Sequence, residues 1–286
     1  MPNRSDFDTT MVFADKHMAP LAPGVTRSRL QPGGRLGPNG ETRLGTPGGQ
    51  GWNDIWLLGT ERDPFMTLIP DIRLPPNQYW PLHWHDCWIA VVIVDGMCLI
   101  GDWWMAPGDV LVSAAELEYG PVVAGPDGCQ LFEVGAQAHL FAGGYAPEYA
   151  DHVTLQGSGP FAFAPRSDRN ARNRGRQVLP VDGVDGLLKG HLAPGNRWDL
   201  GEPDDPDRAT MSCAAFAPGV EVAPHAYGDW RWSLVTRGSA RLGSHELTVD
   251  DVVVVEPGAQ VPEIVAGTDG IELFEVARTS RGEQRS

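Results

Sequence analysis

His83 and His85 stand two residues apart in the stretch WPLHWHDCW, Trp80 to Trp88. In an extended strand, residues i and i+2 project from the same face, so a strand here aims both imidazoles at one point. Two neutral imidazoles are ligands for Fe, Mn, Ni, Cu or Zn, and catalytic metal sites usually draw on about three protein donors. The chemistry expected is that of a divalent transition metal, if the rest of the chain supplies a further donor. Asp86 and Cys87 follow directly, in the turn expected after the strand; Cys87 would ligate only as a thiolate. The alternative is a histidine pair held by hydrogen bonds to a buried tyrosine, carboxylate or water, since buried polar groups need partners.

The elements that must position these residues occur twice. AGPDGCQLFEV, Ala124 to Val134, returns 142 residues later as AGTDGIELFEV, Ala266 to Val276. The offset runs backwards without a gap: Pro76 matches Pro218, His83 matches His225, Trp88 matches Trp230, Gly96 matches Gly238, Gly101 matches Gly243 and Asp109 matches Asp251. Matches that fall on turn residues at a fixed offset argue for duplicated domains. Each copy reads as short apolar runs punctuated by Gly, Pro and Asp, as in WIAVVIVDG followed by MCLIGDWWMAPGDVLVSA, with little helical periodicity. That pattern predicts an all-β barrel per copy. The copies span 52–145 and 185–278, joined by an irregular connection over 146–184 and preceded by a Gly/Pro-rich N-terminal arm over 1–51.

Charge narrows the partners. With 22 Lys and Arg against 37 Asp and Glu, the net charge is −15. Nucleic acid and anionic membrane are disfavoured, because both need a basic surface. The run RSDRNARNRGR, Arg166 to Arg176, is read as a solvated linker. The first residues lack a basic region followed by an apolar core, and the four cysteines form no CxxC, so a reduced, cytoplasmic protein is expected. No phosphate-binding loop or nucleophile elbow is present.

The motifs of the first copy resemble those of the cupins. The HxH of PLHWHDCWIAVVIVDG and its closing Gly96 match the family's first motif, and the turn Pro107 to Asp109 in APGDVLVSAAELEYGP matches its second. With the duplication, about two thirds of the chain resembles a bicupin: two tandem jelly-roll barrels behind an irregular arm. The resemblance places the carboxylate ligand at Ile89 and the last histidine at Tyr119, with Glu118 beside it. In the second copy His225 matches the first histidine, while Tyr227, Arg231 and Val261 replace the other ligands. The resemblance thus implies a metal on His83 and His85 in the first barrel and a lost metal site in the second.

Tyr119 is the expected third ligand or acid/base group, and Glu118 serves instead if the strand slips by one residue. His225, Tyr227 and Arg231 facing inward would form a polar pocket able to pair with a carboxylate; otherwise Arg231 is an ion-pair partner. The tryptophans at 80, 84, 88, 103 and 104 line a pocket or pack the core, with Trp84 expected to point away from the two histidines.

The resemblance implies a metal-dependent enzyme, foremost an oxygenase, acting on a small organic substrate, aromatic or carbonyl. A second class is a non-catalytic bicupin that binds a small molecule. A third is an isomerase or cyclase that uses Tyr119 and the histidines as acid and base. The expected assembly is a monomer or a homodimer.

Overall fold

The computed structural model describes residues 19–30, 51–59, 67–80, 85, 87–114, 117, 119–136, 187–201 and 208–278. Among these residues there is no helix, and so no helix long and apolar enough to cross a membrane. The arginine-rich run, the 146–184 connection, Trp84, His17, His139 and His152 lie outside the described residues.

The chain begins with β1 (Ala19–Ala22) and β2 (Val25–Arg29). The strands of the first copy are β3 (Gly51–Leu58), β4 (Thr67–Leu74), β5 (Tyr79–Trp80), β6 (Ile89–Ile100), β7 (Trp103–Met105), β8 (Asp109–Ser113) and β9 (Val122–Ala136). Then come β10 (Leu187–His191), β11 (Arg197–Leu200), β12 (Ala209–Phe216), β13 (Glu221–Val222) and β14 (His225–Ala226). The last are β15 (Trp230–Leu242), β16 (His245–Thr248), β17 (Asp251–Val255), β18 (Gln260–Val261) and β19 (Ile264–Arg278).

One sheet runs β10-β8-β6-β9-β4-β3, and the other runs β1-β2-β17-β15-β19-β12-β11. The pairing repeats the sequence offset. Ile89 lies opposite Gly135 and Val91 opposite Glu133; 142 residues on, Arg231 lies opposite Ala277 and Ser233 opposite Glu275. The register also shifts at matching points, around Asp95 and Gly96 in one copy and around Arg237 and Gly238 in the other. Gly96 and Gly238 adopt φ of 71° and 72°. A Cβ on either would collide with the carbonyl oxygen of Gly128 or Gly270, so both left-handed backbone and close approach demand glycine.

Each sheet recruits a strand from outside its repeat. β10 pairs antiparallel with β8, so Leu187–His191, assigned by the repeat to the 185–278 copy, completes the sheet of the first. β2, part of the 1–51 arm, pairs antiparallel with β17 of the second. The same aspartate anchors both additions. Asp109 accepts the Ala106 N–H at 2.9 Å and meets His191 Nδ1 at 3.0 Å. Asp251 accepts the Thr248 N–H at 2.7 Å and takes the Arg27 guanidinium on both oxygens. Burial alone would raise the Asp109 carboxyl, but the Ala106 N–H, His191 and Lys189 outweigh it and hold it below the ordinary range.

The central strands are buried on both faces, which explains their unbroken apolar runs. Inside the first barrel, Ile89, Val91, Ile93, Leu111 and Leu131 pack with Leu68, Ile72 and Met105. The opposite face carries Ala90, Val92, Val110, Phe132 and Val134, all buried, with Trp56 edge-on to Phe132 at 6.1 Å. In the second barrel Val235, Val253, Val255 and Ile271 fill the interior together with Val25 from β2.

Candidate functional site

Alternation along β6 and β9 decides what the first barrel holds inside. Ile89, Val91 and Ile93 face inward from β6, and so do Leu131 and Glu133 from β9. Ile89, at the position of the family's carboxylate ligand, is therefore part of the apolar interior. His85 precedes β6 and Tyr119 precedes β9; both are buried. They meet: His85 Nε2 lies 3.1 Å from the Tyr119 hydroxyl, and the rings stack at 5.9 Å. Which of the two donates depends on the imidazole tautomer. His83, Glu118 and Asp86 lie outside the described residues.

Sequence reasoning passed over Glu133. It is 4% exposed and makes no hydrogen bond among the described residues. Burial pushes its carboxyl up to about 8, because the charged form loses water without gaining a partner. Burial also pushes the Tyr119 phenol well above its usual range, and the charges of Glu133, Cys87 and Cys98 add to that effect. The phenol thus holds its proton firmly, and the Glu133 carboxyl is the largest of the charges acting on it. The signal was in the repeat itself: LFEV places a glutamate two residues after an inward leucine, and both copies keep it.

The cysteines add soft groups. Cys87 is buried close enough to influence Tyr119. Cys98 and Cys129 are both buried, and the Cys129 hydrogen bond, with burial, pushes the Cys98 thiol far up. Cys98 therefore stays protonated, which disfavours it as a ligand. Trp103 packs against the interior, Trp88 is buried and Trp104 is exposed.

The second barrel brings His225, Tyr227 and Arg231 together. The His225 and Tyr227 rings meet edge-on at 4.8 Å, and the Arg231 guanidinium lies 4.1 Å over the Tyr227 ring. Arg231 Nη1 reaches Glu275 at 3.3 Å, and Ser233 Oγ donates to the same carboxylate at 3.1 Å. Arg231 is thus an internal ion-pair partner inside the polar cluster. Val261 is buried and pairs with His225 between β18 and β14. His191 is bonded locally to Asp109, and His245 opens β16 at the surface end of a hairpin.

The first barrel has donors of the kind a transition metal takes: an imidazole, His85, and a carboxyl, Glu133, are buried in it. The 3.1 Å His85–Tyr119 contact is a hydrogen bond, since the phenol keeps its proton. Among the described residues no group of three His, Cys, Asp or Glu side chains already forms a metal cluster.

No protein-family model matches the chain, and no curated protein matches it in sequence. Solved structures do match. The protein Ylba from E. coli, of the DUF861 family model, superposes with a TM-score of 0.53 at 12% identity, over 96% of this chain and 98% of that one. A proposed dioxygenase from Nostoc punctiforme gives 0.51 at 13% identity, over 79% of this chain and 78% of that one. A Cupin 2 conserved barrel domain protein from Leptotrichia buccalis gives 0.46 at 11% identity, over 79% and 89%. These likenesses are likenesses of fold.

Proposed function

We propose that this chain, which has the cupin fold in two tandem barrels, is a metal-dependent enzyme of oxygenase type. The reaction lies in the first barrel. The observation that carries this reading is the meeting of His85 and Tyr119, 3.1 Å apart and buried, against an interior whose described residues are largely aliphatic, with Glu133 and thiols among them. Polar groups at such depth cost stability unless they have a use or a partner. His83 and His85 would hold one divalent ion of Fe, Mn, Ni, Cu or Zn. When bound, the ion supplies Lewis acidity and a template for substrate and oxygen. Tyr119 orients His85 and offers a hydroxyl to a substrate oxygen. The leucine, isoleucine and valine walls select a small organic molecule with an aromatic or apolar body and exclude water.

A second reading rests on Glu133. A carboxyl titrating near 8 beside a protonated phenol suits proton transfer at neutral pH. That is the chemistry of an isomerase or cyclase in the same pocket. Elemental analysis separates the readings. About one equivalent of transition metal in the purified protein, lost in the His83→Ala/His85→Ala double variant with the fold kept, is the expected result, followed by oxygen uptake with a suitable substrate. A protein that stays metal-free after reconstitution overturns the oxygenase reading and leaves proton transfer or simple ligand binding.

A further inference from the structure

Four equivalent interior positions are closed in one barrel and open in the other. Ile89, Val91, Leu131 and Glu133 are at most 4% exposed. The residues 142 positions on, Arg231, Ser233, Leu273 and Glu275, are all partly exposed, although the strand register is the same. This opening holds a cation whose donors are mostly unused. Arg231 Nη1 meets Glu275 at 3.3 Å, and the guanidinium lies 4.1 Å over the Tyr227 ring. Its Nε is buried with no hydrogen-bond partner. A guanidinium carries five N–H donors, and its Nε–Nη2 edge can take a carboxylate on two parallel bonds. A buried N–H left unmade is costly, so its place here implies an acceptor that arrives from outside. The surroundings are held in place. Ser233 Oγ donates to Glu275 at 3.1 Å, and His225 donates its Nδ1 proton to the Ala223 carbonyl at 3.0 Å while its ring meets Tyr227 edge-on. Tyr227, Leu273 and Phe216 pack against the apolar interior of the barrel.

We propose that the second barrel binds a small organic monocarboxylate with an apolar body, held by the Nε–Nη2 edge of Arg231. This site is separate from the first barrel and does not rest on the metal reading. Glu275 occupies Nη1 and Tyr227 covers one face of the guanidinium, so the ligand carboxylate takes the remaining edge. The apolar body lies against Leu273 and Phe216, which are partly exposed on the same inner face. Glu275 already balances the charge of Arg231. One further negative charge is therefore tolerated better than two, which disfavours phosphate and dicarboxylates.

The test is calorimetric titration of the full chain with butanoate and benzoate, against benzamide as the uncharged control and inorganic phosphate as the doubly charged one. Four proteins are compared: native, Arg231→Lys, Glu275→Gln and His85→Ala, each checked by far-ultraviolet circular dichroism. Native protein is expected to bind about one equivalent of butanoate or benzoate, and to bind benzamide and phosphate more weakly. Arg231→Lys keeps the charge without the planar fork and should weaken binding by at least about tenfold. Glu275→Gln removes the competing charge and should tighten binding at least about fivefold. His85→Ala should bind as native does. No binding of either carboxylate by native protein overturns the proposal, and so does native affinity in Arg231→Lys. Binding lost in His85→Ala but kept in Arg231→Lys places the ligand in the first barrel and also overturns it. Should Arg231→Lys not fold, Glu275→Gln decides: an unchanged or weaker affinity there sinks the assignment.

Discussion

In metal-free protein, Glu133→Gln is expected to remove a loss of stability that the native first barrel undergoes as pH rises from about 5 to 8. The sign follows from the direction of the shift. Burial pushes the folded carboxyl up to about 8, whereas an unfolded glutamate titrates near about 4.3. Below the unfolded value both states are protonated, and the folded chain bears no penalty. Between the two values the unfolded chain releases its proton and the folded chain retains it. Stability then falls with pH by about 1.4 kcal/mol per unit, to a total on the order of 5 kcal/mol at pH 8. Glutamine keeps the shape and never ionises. Urea unfolding of chelator-treated protein at pH 5 and pH 8 measures the effect: native and variant should be similar at the lower pH and diverge at the higher, with the variant the more stable. Equal pH slopes would show that Glu133 is solvated or partnered in the folded chain.

Asp251→Ala should cost roughly 3 kcal/mol or more, and Asp109→Ala about 1 kcal/mol or less, although the two residues occupy the same position in the two copies. The difference is burial. The Asp251 side chain is 0% exposed and its Arg27 partner 29%, whereas Asp109 and His191 are 19% and 60% exposed. Alanine at 251 strands both the Thr248 N–H and the Arg27 guanidinium, which otherwise share that carboxylate. Alanine at 109 frees groups that water can reach. Because Arg27 sits on β2, the loss at 251 should also loosen that strand from β17. Tryptic cleavage at Arg27 and Arg29 should accelerate in Asp251→Ala while the first barrel stays resistant. Equal shifts in unfolding midpoint for the two variants would remove burial as the deciding factor.

Much of this protein could be read from its residues. The 142-residue offset carried the duplication, because turn glycines and register shifts are local demands of the backbone: Gly96 and Gly238 are required wherever that bend is made. The unbroken apolar runs carried the all-β character, and the HxH spacing marked which copy has histidines to offer. Two things waited for the tertiary structure. The first was ownership of strands. Leu187–His191 follows the connection and looks like the start of the second copy, yet its five backbone partners lie in β8; Val25–Arg29 looks like arm, yet it lines β17. Edge pairing is decided by which remote strand has free N–H and C=O groups, and no local pattern records that. The second was the company a side chain keeps. Glu133 and Glu275 are the same letter in the same repeated phrase, and alternation alone turns both inward. Only the packed barrel shows that one meets an arginine and a serine while the other meets isoleucine and valine, because those neighbours come from a strand some forty residues away.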